Sequence, residues 1–145
     1  MSEESLQELL ERAKTARLRS IAPFSNFLVG AAIKTDEGKV YIGCNVESAS
    51  YGLTVCAERV AIWKALSEGE RQFTELAIVA DTDNLTPPCG TCRQIIWEFA
   101  KNATIMLGNL RGETQIVSIK ELLPRAFDAR FLSAAKEKKD ASESS

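Results

Sequence analysis

The sequence has no apolar run long enough to span a bilayer, so it does not predict a membrane protein. It also has no excess of basic residues, since 18 Lys and Arg stand against 20 Asp and Glu for a net charge of −2. The lack of a basic stripe argues against a nucleic-acid substrate. The first residues are acidic and lack the basic and apolar regions of a signal peptide, which predicts a cytoplasmic location.

Cysteine is scarce, with four in the 145 residues. Four cysteines allow two disulfides, but in a reducing compartment a C-x-x-C pair among them favours metal binding. Hydrophobic residues make up 45% of the chain, which is enough for one core at this length. We expect residues 1–132 to form a single domain and the polar residues 133–145 to form a disordered tail.

The order of periodic segments predicts an α/β domain without internal repeats. An amphipathic first helix follows a capping-box pattern that starts at Ser5. Strands are predicted near residues 27–33, 40–42, 76–80, 105–107 and 115–118, and further helices near 55–66, 88–99 and 120–123. We expect a three-layer α/β/α fold around a mixed sheet of about five strands.

Three cysteines stand at spacings that suit a catalytic zinc. Cys89 and Cys92 form a C-x-x-C pair, and a helix starting at Cys89 would place both sulfurs on one face of its first turn. Cys56 would come from a second, upstream segment. Three protein ligands leave the fourth tetrahedral position open for water, which is typical of catalytic rather than structural zinc sites.

Glu58 lies two residues after Cys56. It is too close along the chain to be an easy fourth ligand, but it is well placed to take a proton from water beside the ion. Both cysteine motifs fall at predicted helix N-termini, where unpaired N–H groups and the helix dipole favour thiolates. Arg59 is the obvious cation to offset the negative charge of three thiolates by hydrogen bonding to a ligand sulfur.

Each of these residues has an ordinary structural alternative. The three cysteines could be buried core thiols, or a structural zinc site completed by Cys44, which we otherwise interpret as a core residue. Thioredoxin-like chemistry at the C-x-x-C pair would give no role to Cys56 or Glu58. Glu58 alone could be a solvated acid of a first helical turn, and Arg59 a surface arginine.

Four motifs in order resemble the small zinc-dependent cytidine deaminases of the three-cysteine, homotetrameric type. The similarity runs from about residue 23 to residue 127, and its motifs are Phe24–Phe27 with Val29–Ala32, Asn45–Glu47, Cys56–Arg59 and Pro88–Gln94.

The resemblance implies a cytidine deaminase-like fold with one Zn²⁺ per chain on Cys56, Cys89 and Cys92, and Glu58 as the catalytic acid and base. The implied reaction is the hydrolytic deamination of cytidine and 2′-deoxycytidine in pyrimidine salvage.

The same resemblance assigns residues to substrate binding. Asn45 and Glu47 would bind the ribose 3′-hydroxyl, and Phe27 would pack on the pyrimidine ring. The backbone N–H of Ala57 would face the pyrimidine carbonyl, and the Pro87 carbonyl would accept a hydrogen bond from the leaving amino group.

Phe127 would be lent to the site by a neighbouring subunit of a homotetramer. Arg59 matches an arginine that the three-cysteine members use beside the zinc ligands.

The chain departs from the family pattern at positions that line or flank the pocket. Phe24 replaces a common tyrosine, Leu28 a frequent proline, Ser48 a frequent asparagine and Pro87 the usual serine. Base specificity therefore stays open between cytidine and a modified cytosine, an isocytosine-like ring or an analogue such as blasticidin S. A non-catalytic, zinc-stabilised interaction module is a further alternative, but it leaves Glu58 without a role.

Overall fold

The computed structural model describes residues 3–133. Ser133, the first residue of the predicted tail, belongs to a helical segment over residues 129–133, and the rest of that tail lies outside the described residues. None of the helices in the described part combines the length and apolar composition that a bilayer crossing requires.

Helices and strands follow one another in the predicted order. The elements are α1 (Glu3–Arg17), β1 (Val29–Thr35), β2 (Val40–Cys44), a 3₁₀ turn (Tyr51–Leu53), α2 (Ala57–Ser67), β3 (Phe73–Ala80), α3 (Gly90–Phe99), β4 (Thr104–Gly108), β5 (Thr114–Val117) and α4 (Ile119–Leu122). The predicted starts of β1, α2 and α3 lie two residues before the observed ones, and that of β3 lies three residues after it.

β1 begins at Val29 rather than Phe27, because side chains and not a neighbouring strand bind the backbone of Phe27. α2 begins at Ala57 rather than Val55, because Val55 pairs with Val46 in an isolated β-bridge.

The sheet is mixed and has five strands in the order β2-β1-β3-β4-β5. β3 and β4 are parallel and are joined through α3, whereas the other neighbouring pairs are antiparallel. Sites in open α/β sheets commonly lie beyond the carboxyl ends of the parallel strands. The loop after β3, which leads to Cys89, begins at that edge.

Helices cover both faces of the sheet, which confirms the three-layer fold. Successive strand residues point to opposite faces. Ala32 of β1 packs with α1 residues such as Leu10, and Ile33 packs in the second cluster with Ile62 of α2 and Ile96 of α3. The two apolar clusters therefore hold α1 on one face and the two helices that follow the cysteine motifs on the other.

A close approach at Gly43 fixes the start of α2 against the sheet. A Cβ built at Gly43 would lie 2.5 Å from the Ala57 carbonyl oxygen and 2.6 Å from the Ala61 nitrogen. The first turns of α2 therefore rest on β2 at a distance that only glycine permits. Since Ala57 directly follows Cys56, this contact also sets the position of the first thiol.

Candidate active site

α2 and α3 each begin immediately after a cysteine. Cys56 and Cys89 are the N-cap residues and have extended backbones, and neither side chain caps its helix. The first N–H groups of a helix lack intrahelical partners, and they carry the positive end of the helix dipole. Both thiols thus stand where negative charge is favoured, as the sequence predicted.

The fold brings Cys56, Cys89 and Cys92 together. Their sulfurs all lie within 4.8 Å of one another, and those of Cys56 and Cys89 are 3.6 Å apart. Zn–S bonds of about 2.3 Å in a tetrahedral site place sulfurs about 3.8 Å apart, so the arrangement fits a zinc ion. The chain contains no histidine, so any nitrogen ligand of that kind is excluded.

The fourth cysteine takes no part in this group. All four cysteines lie in the described part of the chain, and none forms a disulfide. Cys44 is half-buried at the end of β2, outside the sulfur group and outside both apolar clusters. Neither a disulfide nor a four-cysteine structural site is therefore present, and three sulfurs leave one position open.

Cys56 and Cys92 differ in how readily they ionise. The pKa of Cys56 is lowered to about 5, chiefly by a hydrogen bond with Cys92 and further by Arg59. The pKa of Cys92 is raised because its proton is shared with Cys56 and because the thiol is buried. The cluster stabilises one thiolate without a metal, but three neighbouring thiolates repel one another and require a cation among them.

Arg59 lies where a cation was predicted. Its Nη2 is 3.6 Å from the Cys56 sulfur and 3.4 Å from the Thr54 carbonyl oxygen. The guanidinium carbon also lies 5.7 Å from the ring centroid of Trp63. The contact with the sulfur argues against the alternative of an unattached surface arginine.

Glu58 is only 4% exposed, although it stands in the first turn of α2. Burial is the main cause that raises its pKa, and the neighbouring charge of Cys56 adds to the effect. The alternative of a solvated helix acid is therefore wrong. A buried carboxyl with a raised pKa beside a metal site is suited to proton transfer.

A cavity of about 340 Å³ opens beside the thiols. Its walls include two of the three sulfur-bearing residues, Glu58 and most of the predicted substrate-binding residues. The predicted residues that line it are Phe27, Asn45, Glu47, Cys56, Ala57, Glu58, Pro87 and Cys89.

Asn45 and Glu47 also have structural partners that sequence analysis missed. Asn45 Oδ1 accepts a hydrogen bond from the Val29 N–H at 2.9 Å, and Nδ2 donates to the Phe27 carbonyl at 2.6 Å. Glu47 accepts hydrogen bonds from the backbone and hydroxyl of Ser25, which lower its pKa. Both side chains keep hydrogen-bonding capacity for a ligand.

Phe127 does not line the cavity of its own chain. The residue is 57% exposed, and its ring stacks on that of Phe131 with the centroids 5.7 Å apart. Its carbonyl accepts a hydrogen bond from Gln94 Nε2 at 2.8 Å. Within a single chain, Phe127 therefore lies outside the cavity, and it was predicted to line that of a neighbouring subunit.

Arg93 is a residue that sequence analysis recorded only as part of a motif. Its guanidinium donates to the carbonyls of Pro88 and Leu122, both at 2.8 Å. It therefore ties the loop before Cys89 to the end of α4. Its place in the Pro88–Gln94 motif indicated that Arg93 matters, but the spacing of a motif does not reveal which backbone carbonyls a side chain binds.

Comparison with known proteins identifies the family. The profile of the cytidine and deoxycytidylate deaminase zinc-binding region matches residues 3–108. A cytidine deaminase of Halalkalibacterium halodurans is 49% identical over 124 residues, which cover 85% of this chain and 94% of that protein. The solved structure of a cytidine deaminase from Burkholderia pseudomallei has a TM-score of 0.83 and 45% identity, covering 88% and 100% of the two chains.

A blasticidin-S deaminase of Bacillus cereus is 30% identical over 128 residues, which cover 83% of this chain and 90% of that protein. The chain belongs to the cytidine and deoxycytidylate deaminase family, as its four motifs predicted. It carries the zinc-binding region of that family, with three cysteines that can hold one zinc ion.

Proposed function

We propose that this protein catalyses the hydrolytic deamination of cytidine and 2′-deoxycytidine to uridine and 2′-deoxyuridine, with release of ammonia. The observation that carries the proposal is the convergence of three thiols within 4.8 Å beside a buried Glu58, at a cavity of about 340 Å³. The similarity to the cytidine deaminase of Halalkalibacterium halodurans supports the choice of substrate. Such a reaction would serve pyrimidine salvage.

Cys56, Cys89 and Cys92 would hold the zinc ion, since their sulfur spacing and soft thiolate chemistry fit it. Zinc in such a site supplies a Lewis acid that lowers the pKa of water toward neutrality. Arg59, in contact with the Cys56 sulfur, would offset part of the charge of the three thiolates.

Glu58 would move the protons of the reaction. It accepts one proton from the attacking water, whose oxygen forms the new bond to C4 of the pyrimidine, and delivers that proton to N3. It then transfers the second proton of that water, from the new C4 hydroxyl, to the C4 amino group, and the C4–N bond breaks to release ammonia. Because Glu58 is buried and its pKa is raised, its carboxyl is suited both to accept and to donate a proton.

The pyrimidine would be oriented by backbone groups and one aromatic ring. The N–H of Ala57, in the first turn of α2, is free of intrahelical partners and would donate to the pyrimidine carbonyl. The Pro87 carbonyl would accept from the amino group, a role that proline keeps because its carbonyl is unchanged. Phe27, at the cavity wall, would pack against the ring.

The sugar would bind at the other end of the cavity lining, on Asn45 and Glu47. Each uses part of its hydrogen-bonding capacity on the segment 24–29 and retains lone pairs or a proton for a hydroxyl. This pair distinguishes a nucleoside from a free base.

The assembly would be a homotetramer in which Phe127 reaches a neighbouring site. Large apolar side chains on the surface of the described part support burial between subunits, among them Tyr51, Leu53, Phe127, Phe131 and Leu132. One continuous sheet supports a single domain over residues 1–132. The cytoplasmic location stays a prediction.

A spectrophotometric assay with zinc content per chain tests the function. Cytidine and 2′-deoxycytidine should lose absorbance with one zinc per chain, whereas cytosine and a cytosine oligonucleotide should react far more slowly. Blasticidin S is the second candidate substrate, because a blasticidin-S deaminase of Bacillus cereus is similar to this chain. Faster turnover of blasticidin S than of cytidine would change the proposed substrate and leave the proposed zinc ligands and Glu58 unchanged. The assay also includes isocytosine. One zinc per chain without turnover of any of these compounds would favour a non-catalytic, zinc-stabilised interaction module.

A further inference from the structure

The segment that precedes Phe27 folds around the Glu47 carboxylate. Glu47 Oε1 accepts hydrogen bonds from the N–H groups of Phe24 at 2.9 Å and Ser25 at 3.1 Å. Asn26 follows with a φ of 59°, a left-handed conformation that asparagine tolerates better than most residues. Residues 23–25 form a turn that the Asn26 N–H closes by donating to the Ala22 carbonyl at 3.0 Å, so both donors lie within this turn.

The Ser25 hydroxyl is the link between the carboxylate and the rest of the segment. It accepts a hydrogen bond from the Phe27 N–H at 3.0 Å and donates to Glu47 Oε2. A hydroxyl has one proton, and the bond from Phe27 occupies one of its lone pairs. The proton is therefore directed at Glu47, and both carboxylate oxygens are held in one orientation.

The Asn45 side chain holds the Phe27 segment by bonds that do not involve this hydroxyl. The Phe27 carbonyl accepts a hydrogen bond from Asn45 Nδ2 at 2.6 Å, and the Val29 N–H donates to Asn45 Oδ1 at 2.9 Å. Asn45 is 8% exposed, so these bonds are shielded from water. Loss of the Ser25 hydroxyl should therefore free Glu47 Oε2, while Oε1 keeps its two backbone donors and the aromatic wall of the cavity stays in place.

From this geometry we propose that Ser25 is a positioning residue for sugar recognition. It holds the Glu47 carboxylate in the orientation that accepts a sugar hydroxyl, and so determines affinity for nucleosides that carry that hydroxyl. The inference rests on the proposed function and extends it to a residue with no assigned role. The hydrogen bond from Ser25 is also the main cause of the lowered pKa of Glu47.

The first test compares Ser25→Ala with the wild-type enzyme on two substrates. With 2′-deoxycytidine, KM should rise about tenfold and kcat should stay within about twofold, since a charge-assisted hydrogen bond that orients a ligand group is lost. With 2′,3′-dideoxycytidine, which offers no 3′-hydroxyl to Glu47, KM should stay within about twofold of the wild-type value. Ser25→Thr keeps a hydroxyl and should restore most of the affinity for 2′-deoxycytidine.

A double-mutant cycle separates positioning from a direct contact. If Ser25 acts through Glu47, Ser25→Ala should add nothing to the KM of Glu47→Ala. The matched control is Ser67→Ala, since Ser67 is exposed at the far end of α2 and bonds only the Lys64 carbonyl in the described part. Additive effects in the double variant, or an equal rise of KM on 2′,3′-dideoxycytidine, would overturn the proposal.

A titration of the Glu47 carboxyl by NMR tests the contact without any turnover. Ser25→Ala should raise the pKa of Glu47 toward its ordinary value, and Ser67→Ala should leave it unchanged. An unchanged pKa in Ser25→Ala contradicts the positioning role even if the enzyme is active. A raised pKa in a protein that does not deaminate cytidine supports the contact and places the failure in the proposed substrate.

Discussion

The Arg59 guanidinium lies against the Cys56 sulfur, with Nη2 3.6 Å from Sγ. The two residues are three positions apart at the start of α2, so one helical turn carries both the thiol and its cation. The pKa of Cys56 is lowered chiefly by its hydrogen bond with Cys92 and further by Arg59, and the contact with Cys56 raises the pKa of Arg59. A site of three thiolates and one zinc has a net charge of −1, and Arg59 offsets it locally.

Replacing Arg59 by alanine should lower kcat about 10- to 100-fold while part of the zinc stays bound, because outer partners tune a metal site without holding it. Arg59→Lys should recover part of the activity, since it keeps the charge but loses the planar donor group. Arg71→Ala serves as the control because Arg71 is exposed and bonds only backbone carbonyls in the described part. Full turnover in Arg59→Ala would show that Arg59 is not needed to offset the charge of the three thiolates.

Glu58→Gln should keep one zinc per chain and lose turnover by a factor of about 10² to 10⁴, which is the usual contribution of a general acid and base. The amide has nearly the same shape but cannot transfer the proton. Glu68→Gln, an exposed acid at the end of the same helix, should leave kcat unchanged. A near-normal rate in Glu58→Gln, measured with zinc content, would refute the catalytic assignment.

Cys89→Ala should lose zinc and part of the stability, since metal binding contributes to the folded state. Cys44→Ala is the matched control because Cys44 lies outside the sulfur group. Zinc per chain and the midpoint of urea unfolding measure both effects. Cys44→Ala should leave both zinc content and activity at the wild-type level, and unchanged zinc in Cys89→Ala would exclude that residue as a ligand.

Asn45→Ala should destabilise the fold by about 1–3 kcal/mol, because it leaves the partly buried Phe27 carbonyl and Val29 N–H without these side-chain partners. KM for cytidine should also rise, since Phe27 loses its anchor and the sugar loses a ligand. Asn102→Ala, at an exposed asparagine, is the control for urea unfolding. Higher KM with unchanged stability would mean that Asn45 acts on substrate alone.

The order of elements was predictable because short-range patterns determine it. Hydrophobic periodicity located the helices and strands, and the C-x-x-C spacing located two of the thiols of the cluster. The convergence of Cys56 with that pair was predicted from two helix N-termini and is observed at 3.6 Å.

Contacts across many residues were not predictable from spacing. Nothing in the sequence indicated that Asn45 bonds the backbone of residues 27 and 29, or that Arg93 reaches Leu122. The burial of Glu58 also depends on the packing of α2 over β2, which Gly43 permits. Such features come from tertiary packing between residues far apart in the sequence, so short-range sequence patterns do not predict them.

Phe127 stacks on Phe131 outside the cavity of its own chain, so a role in catalysis requires a second subunit. Sedimentation should give a tetramer of about four times the 15.9 kDa chain. Phe127→Ala subunits should have a raised KM, and Glu58→Gln subunits should be inactive. When the two variants are co-expressed, hybrid tetramers should regain activity, because a chain with intact Glu58 receives Phe127 from its neighbour. Activity no higher than that of Phe127→Ala alone, or a fully active monomer, would show that each chain completes its own site.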